Sequence, residues 1–326
     1  MRDYPPTTRS PHPRGRTMGS LLFALVLIAQ TALAERYDFL PPKHLALVIG
    51  VSDYAHWPGL PGATADARRV ADLLERGGFA TMRVLNPDAK ALKTAWSDFI
   101  EKASSQPGSA CIVYYRGHGE TLIDAAGGKN GWLVPMDAGL TQPSQTDFSR
   151  QALRVETLIG EALGLNVQHL LLLFDAAFAD ERLSDVKPAL RLLGPSSGHP
   201  ARQAIIAGNA FEPASKRNLF STFLVRALTG EADAIQDGIV SGTELATYLG
   251  NHVGRAAGGE QHPQYAVFGT GNRGMGDFAF EVIAPHQAAS LYVDTQPSAA
   301  RVRILNIKPK FTQGMELEPG RYHLEV

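Results

Sequence analysis

From Glu35 onward, short apolar runs alternate with stretches whose apolar residues recur at helical spacing. Residues 45–51 (LALVIGV) read as a buried strand, because an unbroken apolar run of this length suits a strand covered on both faces. Ala67, Val70, Ala71 and Leu74 then recur at i, i+3, i+4 and i+7. That spacing predicts a helix packed back on the sheet, with Thr64 as its N-cap and Gly77-Gly78 at its end. The cycle continues with a strand at 81–85, a helix at 91–103, a strand at 110–115 and a helix at 155–163. Further strands are expected at 169–174 and 203–207, and a later helix at 244–253. This alternation predicts an α/β fold with a mostly parallel central sheet. Ligands of such sheets sit beyond the carboxyl ends of the strands, so the residues just after those runs are the candidates for chemistry.

The two ends of the chain have a different character. Arg14 and Arg16 precede an apolar run at 21–29, and Ala32-Leu33-Ala34 gives the small-x-small pattern that a signal peptidase cuts. A signal peptide over 1–34 is expected, with an exported product that is periplasmic or extracellular; a retained membrane anchor is the alternative. The apolar run is short of the roughly 20 residues a spanning helix needs, and no later segment reaches that length. Past a linker at 284–290, residues 291–297 and 300–305 alternate in polarity. A Pro319-Gly320 turn then leads into a third alternating stretch, so 291–326 are expected to form a small β unit.

Composition narrows the chemistry. The 326 residues are 44% hydrophobic and 19% charged with a net charge of −1, which is globular and offers no basic footprint for nucleic acid. Loss of 1–34 removes four Arg and one Asp and leaves a more acidic product. The single cysteine, Cys111, excludes intramolecular disulfides, Cys-rich zinc sites and Cys-x-x-Cys redox pairs.

Two strand ends are unusual. One reads Tyr114-Tyr115-Arg116-Gly117-His118-Gly119, placing a histidine between glycines, where an imidazole suits a general base and the glycine N–H groups suit an oxyanion. The other reads Phe174-Asp175-Ala176-Ala177-Phe178-Ala179-Asp180. Each alone admits a bland reading, as a polar loop histidine or a helix cap after a core strand. In this order, with Ala177 59 positions after His118, the pair resembles the caspase and metacaspase cysteine peptidases. The segments LVIGVSDY (47–54), GATADA (62–67), WLVPMD (132–137), AIIAGNAFE (204–212), LFSTFLVRALTG (219–230) and GDFAF (276–280) are also similar to bacterial members, in family order. The resemblance covers residues 43–283. It implies a three-layer α/β sandwich and, for the family, a cysteine endopeptidase activity after Arg or Lys.

The departures bear most directly on function. In the family the second motif carries the nucleophilic cysteine where this chain has Ala177, and Ala179-Asp180 replace the family's Ser-Gly. Loss of a nucleophile costs about 10⁶-fold, or roughly 8 kcal/mol of transition-state stabilisation. Cys111 lies seven residues before His118 inside the apolar strand, where a small buried hydrophobe is the expected role. The resemblance further implies a catalytic set of His118 as base, Gly119 as oxyanion donor and Ala177 at the vacant nucleophile position. It places two pocket carboxylates at Asp66 and Asp175. Arg116 stands where the family often has Ser, and its guanidinium can pair with Asp66 or Asp175 in place of a substrate side chain. A surface ion pair of little energy is the alternative.

Asp233, Asp237, Gly238, Ile239, Ser241 and Glu244 fall at positions 1, 5, 6, 7, 9 and 12 of an EF-hand loop, with Ile235 at position 3 where a ligand is missing. Ca²⁺ or a loop that keeps only the shape are both open, and no other cofactor is expected. The C-terminal unit resembles a partial PEGA-type β module. Three readings remain: an exported pseudo-peptidase that binds a peptide or protein, basic ligands included; a cysteine endopeptidase silenced by a deliberate Cys→Ala change; or a scaffold that tethers envelope components through its β unit. Ala179 and Asp180 favour the first, since a deliberate change would alter one position.

Overall fold

In the computed structural model, the described residues are 44–183, 199–209, 212, 218–269, 274, 276–283 and, toward the C-terminus, 289–291, 303–304, 310, 312, 315–317 and 324–325. All lie in the compact unit Pro41–Val326. The signal-peptide expectation for 1–34 falls outside them.

The parallel core is built from β1 (His44–Gly50), α1 (Ala63–Arg76), β2 (Ala80–Leu85), α2 (Ala89–Ser104) and β3 (Ala110–Arg116). After β4 (Gly119–Ile123), β5 (Lys129–Leu133), α3 (Gln145–Gln151), β6 (Leu153–Arg154) and α4 (Val155–Gly164), the chain returns to the core. It does so through β7 (His169–Ala177) and β8 (Ala201–Gly208). Next come α5 (Leu219–Arg226), β9 (Ile239–Ser241), α6 (Gly242–Ala256), β10 (Gln264–Val267) and β11 (Ala279–Glu281).

Six strands form the central sheet in the order β10-β8-β7-β3-β1-β2. Only β10 runs antiparallel to its neighbour. Alternation along β3 divides the core. Cys111, Val113 and Tyr115 join Leu92, Trp96 and Phe99 of α2 and Leu158 of α4 on one face. Ala110, Ile112 and Tyr114 join Val70 and Leu74 of α1, Leu224 of α5 and Leu249 of α6 on the other. The result is a three-layer sandwich, with each large buried side chain contributing about 1.5–3 kcal/mol.

Two features differ from the sequence expectation. The N-cap of helix α1 is Gly62, whose φ of 90° lies in the left-handed region and which supplies no side-chain cap. Thr64 is already helical; its N–H donates to Ser52 Oγ at 2.9 Å, so a hydroxyl from the end of β1 supplies the capping acceptor through space. The second difference is a small sheet, β4-β5-β6, that was not expected. Its strands are half-buried and polar, without the apolar alternation that marks a core strand.

At the C-terminus, β12 (Ala289–Leu291) pairs antiparallel with β14 (Met315–Leu317), and β13 (Arg303–Ile304) with β15 (Leu324–Glu325). The small β unit is therefore present, and the stretch after Pro319-Gly320 contributes β15.

Candidate functional site

The register of the parallel strands sets Arg116, the last residue of β3, directly beside Asp175 of β7. Both side chains point to the α1 face, where Asp66 enters from the first turn of the helix. Arg116 reaches both acids: Nη1 lies 2.7 Å from Asp175 Oδ1, and Nε lies 2.8 Å from Asp66 Oδ2. The Nε contact is a charge approach rather than an aligned hydrogen bond. All three side chains are at most 5% exposed.

Further groups complete the cluster. Tyr114 donates its hydroxyl to Asp175 Oδ2 at 3.0 Å, and Asp66 is also held by Arg69 and by Asn218 Nδ2 at 3.4 Å. Burial holds the Asp175 carboxyl above the usual carboxylate range, with Arg116 and the Tyr114 hydroxyl opposing it.

His118 is fixed by its backbone as well as its ring. Its N–H donates to Tyr54 Oη at 2.8 Å, and its carbonyl accepts from Tyr115 Oη at 2.9 Å. A Cβ on Gly117 would stand 2.5 Å from the Tyr115 hydroxyl and 2.7 Å from that of Tyr54, so only glycine fits above the two phenols. The ring Nε2 lies 2.7 Å from the Pro58 carbonyl. A carbonyl can only accept, so Nε2 carries the proton and Nδ1 keeps the lone pair. Burial lowers the imidazole pKa, against the opposing bond to Pro58, and the ring is neutral at pH 7.

The second motif arrives beside the first. Strand β7 departs from regular register between Phe174 and Ala177, after which Ala177 pairs with Gly208 of β8. A Cβ on Gly119 would come within 2.7 Å of the Ala177 carbonyl oxygen, so the two strand ends are in contact. Ala177, but neither His118 nor Gly119, borders a cleft of about 320 Å³, counting its open mouth, walled also by Leu60, Gly117 and Gly208, with Arg116 and Asp175 on its surface. Asp66 does not line it. Ala177 presents only a methyl group at this place.

The residues after Ala177 are tied down. Phe178 is fully buried against Phe174, and Ala179 N–H donates to Thr121 Oγ1 at 2.9 Å. The buried Asp180 carboxylate accepts from Gly131 N–H at 2.9 Å and Arg182 N–H at 3.0 Å. Cys111 is enclosed toward the opposite end of β3, near Ser109 Oγ at 3.5 Å, and burial pushes its thiol up to about 11.

Sequence reading did not single out Tyr54, Pro58, Leu60, Glu212 or Gln261, all of which border the cleft or hold His118. Tyr54 and Glu212 lay within segments already marked by resemblance; the rest are assembled through space. In the 233–244 loop, Asp233 accepts from the N–H groups of Asp237 and Gly238, and Asp237 from that of Ile239. Glu244 accepts from Ala234 N–H and from the N–H and hydroxyl of Ser241. The carboxylates thus satisfy the loop's own donors. Among the described residues, no three His, Cys, Asp or Glu side chains converge as a metal-holding group. Among them, too, no helix is long and apolar enough to cross a membrane.

The sequence profile described as caspase domain matches residues 43–267. Protein GSU0716 from Geobacter sulfurreducens superposes with a TM-score of 0.47 at 17% identity, over 71% of this chain and 95% of that one. Caspase-1 from Spodoptera frugiperda superposes with a TM-score of 0.47 at 13% identity, over 72% of this chain and 92% of that one. No curated protein sequence matches the chain.

Proposed function

The chain belongs to the caspase-domain family, and from that premise we propose that it is an exported pseudo-peptidase, which binds a peptide or protein ligand in the family's cleft without cutting it. One observation carries the proposal. The position beside Gly119 at the end of β7, where family resemblance expects the attacking sulfur, holds the methyl of Ala177. The neutral His118, with a free lone pair on Nδ1, would have no thiol to deprotonate. Cys111 offers no substitute, being buried in the sheet with a raised pKa.

Two further features favour a natural inactive protein over a single engineered replacement. Asp180 is integrated into the fold through Gly131 and Arg182, and Arg116 fills the space between Asp66 and Asp175. A ligand Lys or Arg would have to displace that guanidinium, so the ligand is expected to lie across the cleft rather than insert a basic side chain. Export rests on the sequence pattern of residues 1–34.

The test is Ala177→Cys exposed to a thiol-reactive peptide probe, alongside purified wild-type protein assayed on lysyl and arginyl amides. Labelling of the variant that is lost on adding His118→Ala, with no wild-type hydrolysis, is the expected result. Wild-type hydrolysis abolished by His118→Ala would overturn the proposal.

A further inference from the structure

At the end of the central sheet opposite the cleft, His44 of β1 and His169 of β7 flank Ala110 of β3 in register. Two inter-strand spacings separate their Cα atoms, roughly 10 Å. Three phenylalanines close an arch over them. The His44 ring lies 4.8 Å from that of Phe79, Phe79 lies 6.3 Å from Phe280, Phe280 lies 4.6 Å from Phe278, and Phe278 lies 5.6 Å from His169. Phe280 belongs to β11 and Phe278 immediately precedes it, so the imidazoles form the floor on which this strand rests. Strand β11 is otherwise held by a three-residue ladder to β9 and by bonds from Val282 N–H to Gly238 and from Ile283 N–H to Leu228, and Phe278 by its N–H, which donates to Gln203 Oε1, and its carbonyl, which accepts from Gly242 N–H. In sequence it leads into residues 284–288 and then the C-terminal β unit.

His169 is 2% exposed, and its Nδ1 has no hydrogen-bond partner; the Nδ1 of His44 is likewise buried without one. Neutral imidazoles tolerate this, whereas an imidazolium would carry an unsolvated N–H in an aromatic enclosure. The charges facing the pair oppose protonation of His169: Arg202 from β8 and His44 itself both disfavour a second positive charge. Glu281 of β11 favours protonation of His44 but is outweighed there by burial. The neighbouring β3 contributes Ala110, and the turn after α1 contributes Phe79, neither of which supplies a counter-charge.

We infer that the His44–His169 pair is an acid-sensitive latch for strand β11, docking the segment that leads to the C-terminal β unit while both rings are neutral and loosening it when they take up protons. The sign follows from where the proton is accepted. Burial lowers the His169 pKa from its usual 6.5 to about 4, so the open form binds the proton more readily than the docked form. Docking is therefore fully supported above pH 6.5 and is lost progressively as pH falls toward 4. From His169 alone, the opening equilibrium of β11 rises about 60-fold between pH 7 and 4.5, and His44 adds in the same direction. Opening remains the minor state, because Phe278, Phe280 and Ile283 stay favourable to bury.

The inference is independent of the pseudo-peptidase reading and is tested by hydrogen exchange on the full chain, corrected for intrinsic rates. Amides of residues 279–283 should lose protection by tens of fold between pH 7 and 4.5, while those of β3 keep theirs. In the His44→Gln/His169→Gln double variant that pH dependence should flatten. Equal loss in β3, or an unchanged dependence in the variant, would overturn the latch. Should the variant fail to fold, histidine ring NMR of the wild-type protein decides: His169 neutral down to about pH 4 supports it, and titration near 6.5 overturns it.

Discussion

Replacing Arg116 by Ser is the perturbation that most directly probes the site. The guanidinium stands between two carboxylates, with side chains that are 5%, 3% and 4% exposed for Arg116, Asp66 and Asp175. Removing the cation leaves buried acids facing each other across a void, a situation that costs about 3–5 kcal/mol. For a domain of this size each kcal/mol lowers Tm by roughly 2–4 °C, so a fall of about 6–20 °C is expected in differential scanning fluorimetry at pH 7.

The pH dependence of the deficit carries a sign. Burial already holds the Asp175 carboxyl high, and without Arg116 that effect is unopposed by the nearest cation. A raised folded-state pKa gives stability that is present at low pH and lost as pH rises through it, so the deficit of the variant should shrink toward pH 4. The vacated space should also accept methylguanidinium, and a ligand at 100 times its Kd would restore about 2.7 kcal/mol. Rescue in the variant, absent in the wild type at the same concentration, separates site binding from general solvent effects. A Tm within about 2 °C of wild type at pH 7, with no response to methylguanidinium, would refute the buried-triad reasoning.

Cys111 should resist a water-soluble thiol reagent in the native protein and react fully once unfolded, because burial pushes its thiol up to about 11; rapid native labelling followed by colorimetry would contradict its place in the core. Asp180→Ala should lower chemical-denaturation stability by about 1–3 kcal/mol, since the buried Gly131 N–H loses its acceptor. Asp180→Asn, which keeps an acceptor oxygen, should lose less.

The parallel core was legible because its strands are buried on both faces and so read as apolar runs, as in β3 and β7. Strands β4 and β5 were not, since Gly119, Glu120, Lys129 and Asn130 mix glycine with polar residues on a half-buried surface. The site divides the same way. His118, Ala177, Asp66, Asp175 and Arg116 were visible because each follows an apolar run or opens a helix, in an order with family precedent. Pro58 was not, because its contribution is a carbonyl oxygen, which every residue has. Nor could sequence place Ser52 at the start of α1 or Asp180 against Gly131, bonds that exist only once separate strands are side by side.

The place of His118 has a structural explanation that needs no catalysis. Its backbone N–H and carbonyl complete the bonds of two buried phenols, and its ring donates to the loop that carries Leu60 into the cleft wall. Loss of the imidazole would therefore leave the Pro58 carbonyl without this donor and open space between Tyr54 and Trp57. Arg116 shows the complementary logic. A pocket that waits for a cationic side chain must keep its carboxylates without an internal counter-ion, a strain of the kind functional sites trade against stability. With the guanidinium built in, Asp66 and Asp175 have an internal counter-ion that any incoming cation would have to displace. Contacts of this kind hold the fold whether or not the site reacts, which is why the cleft's shape and its chemistry have to be tested separately.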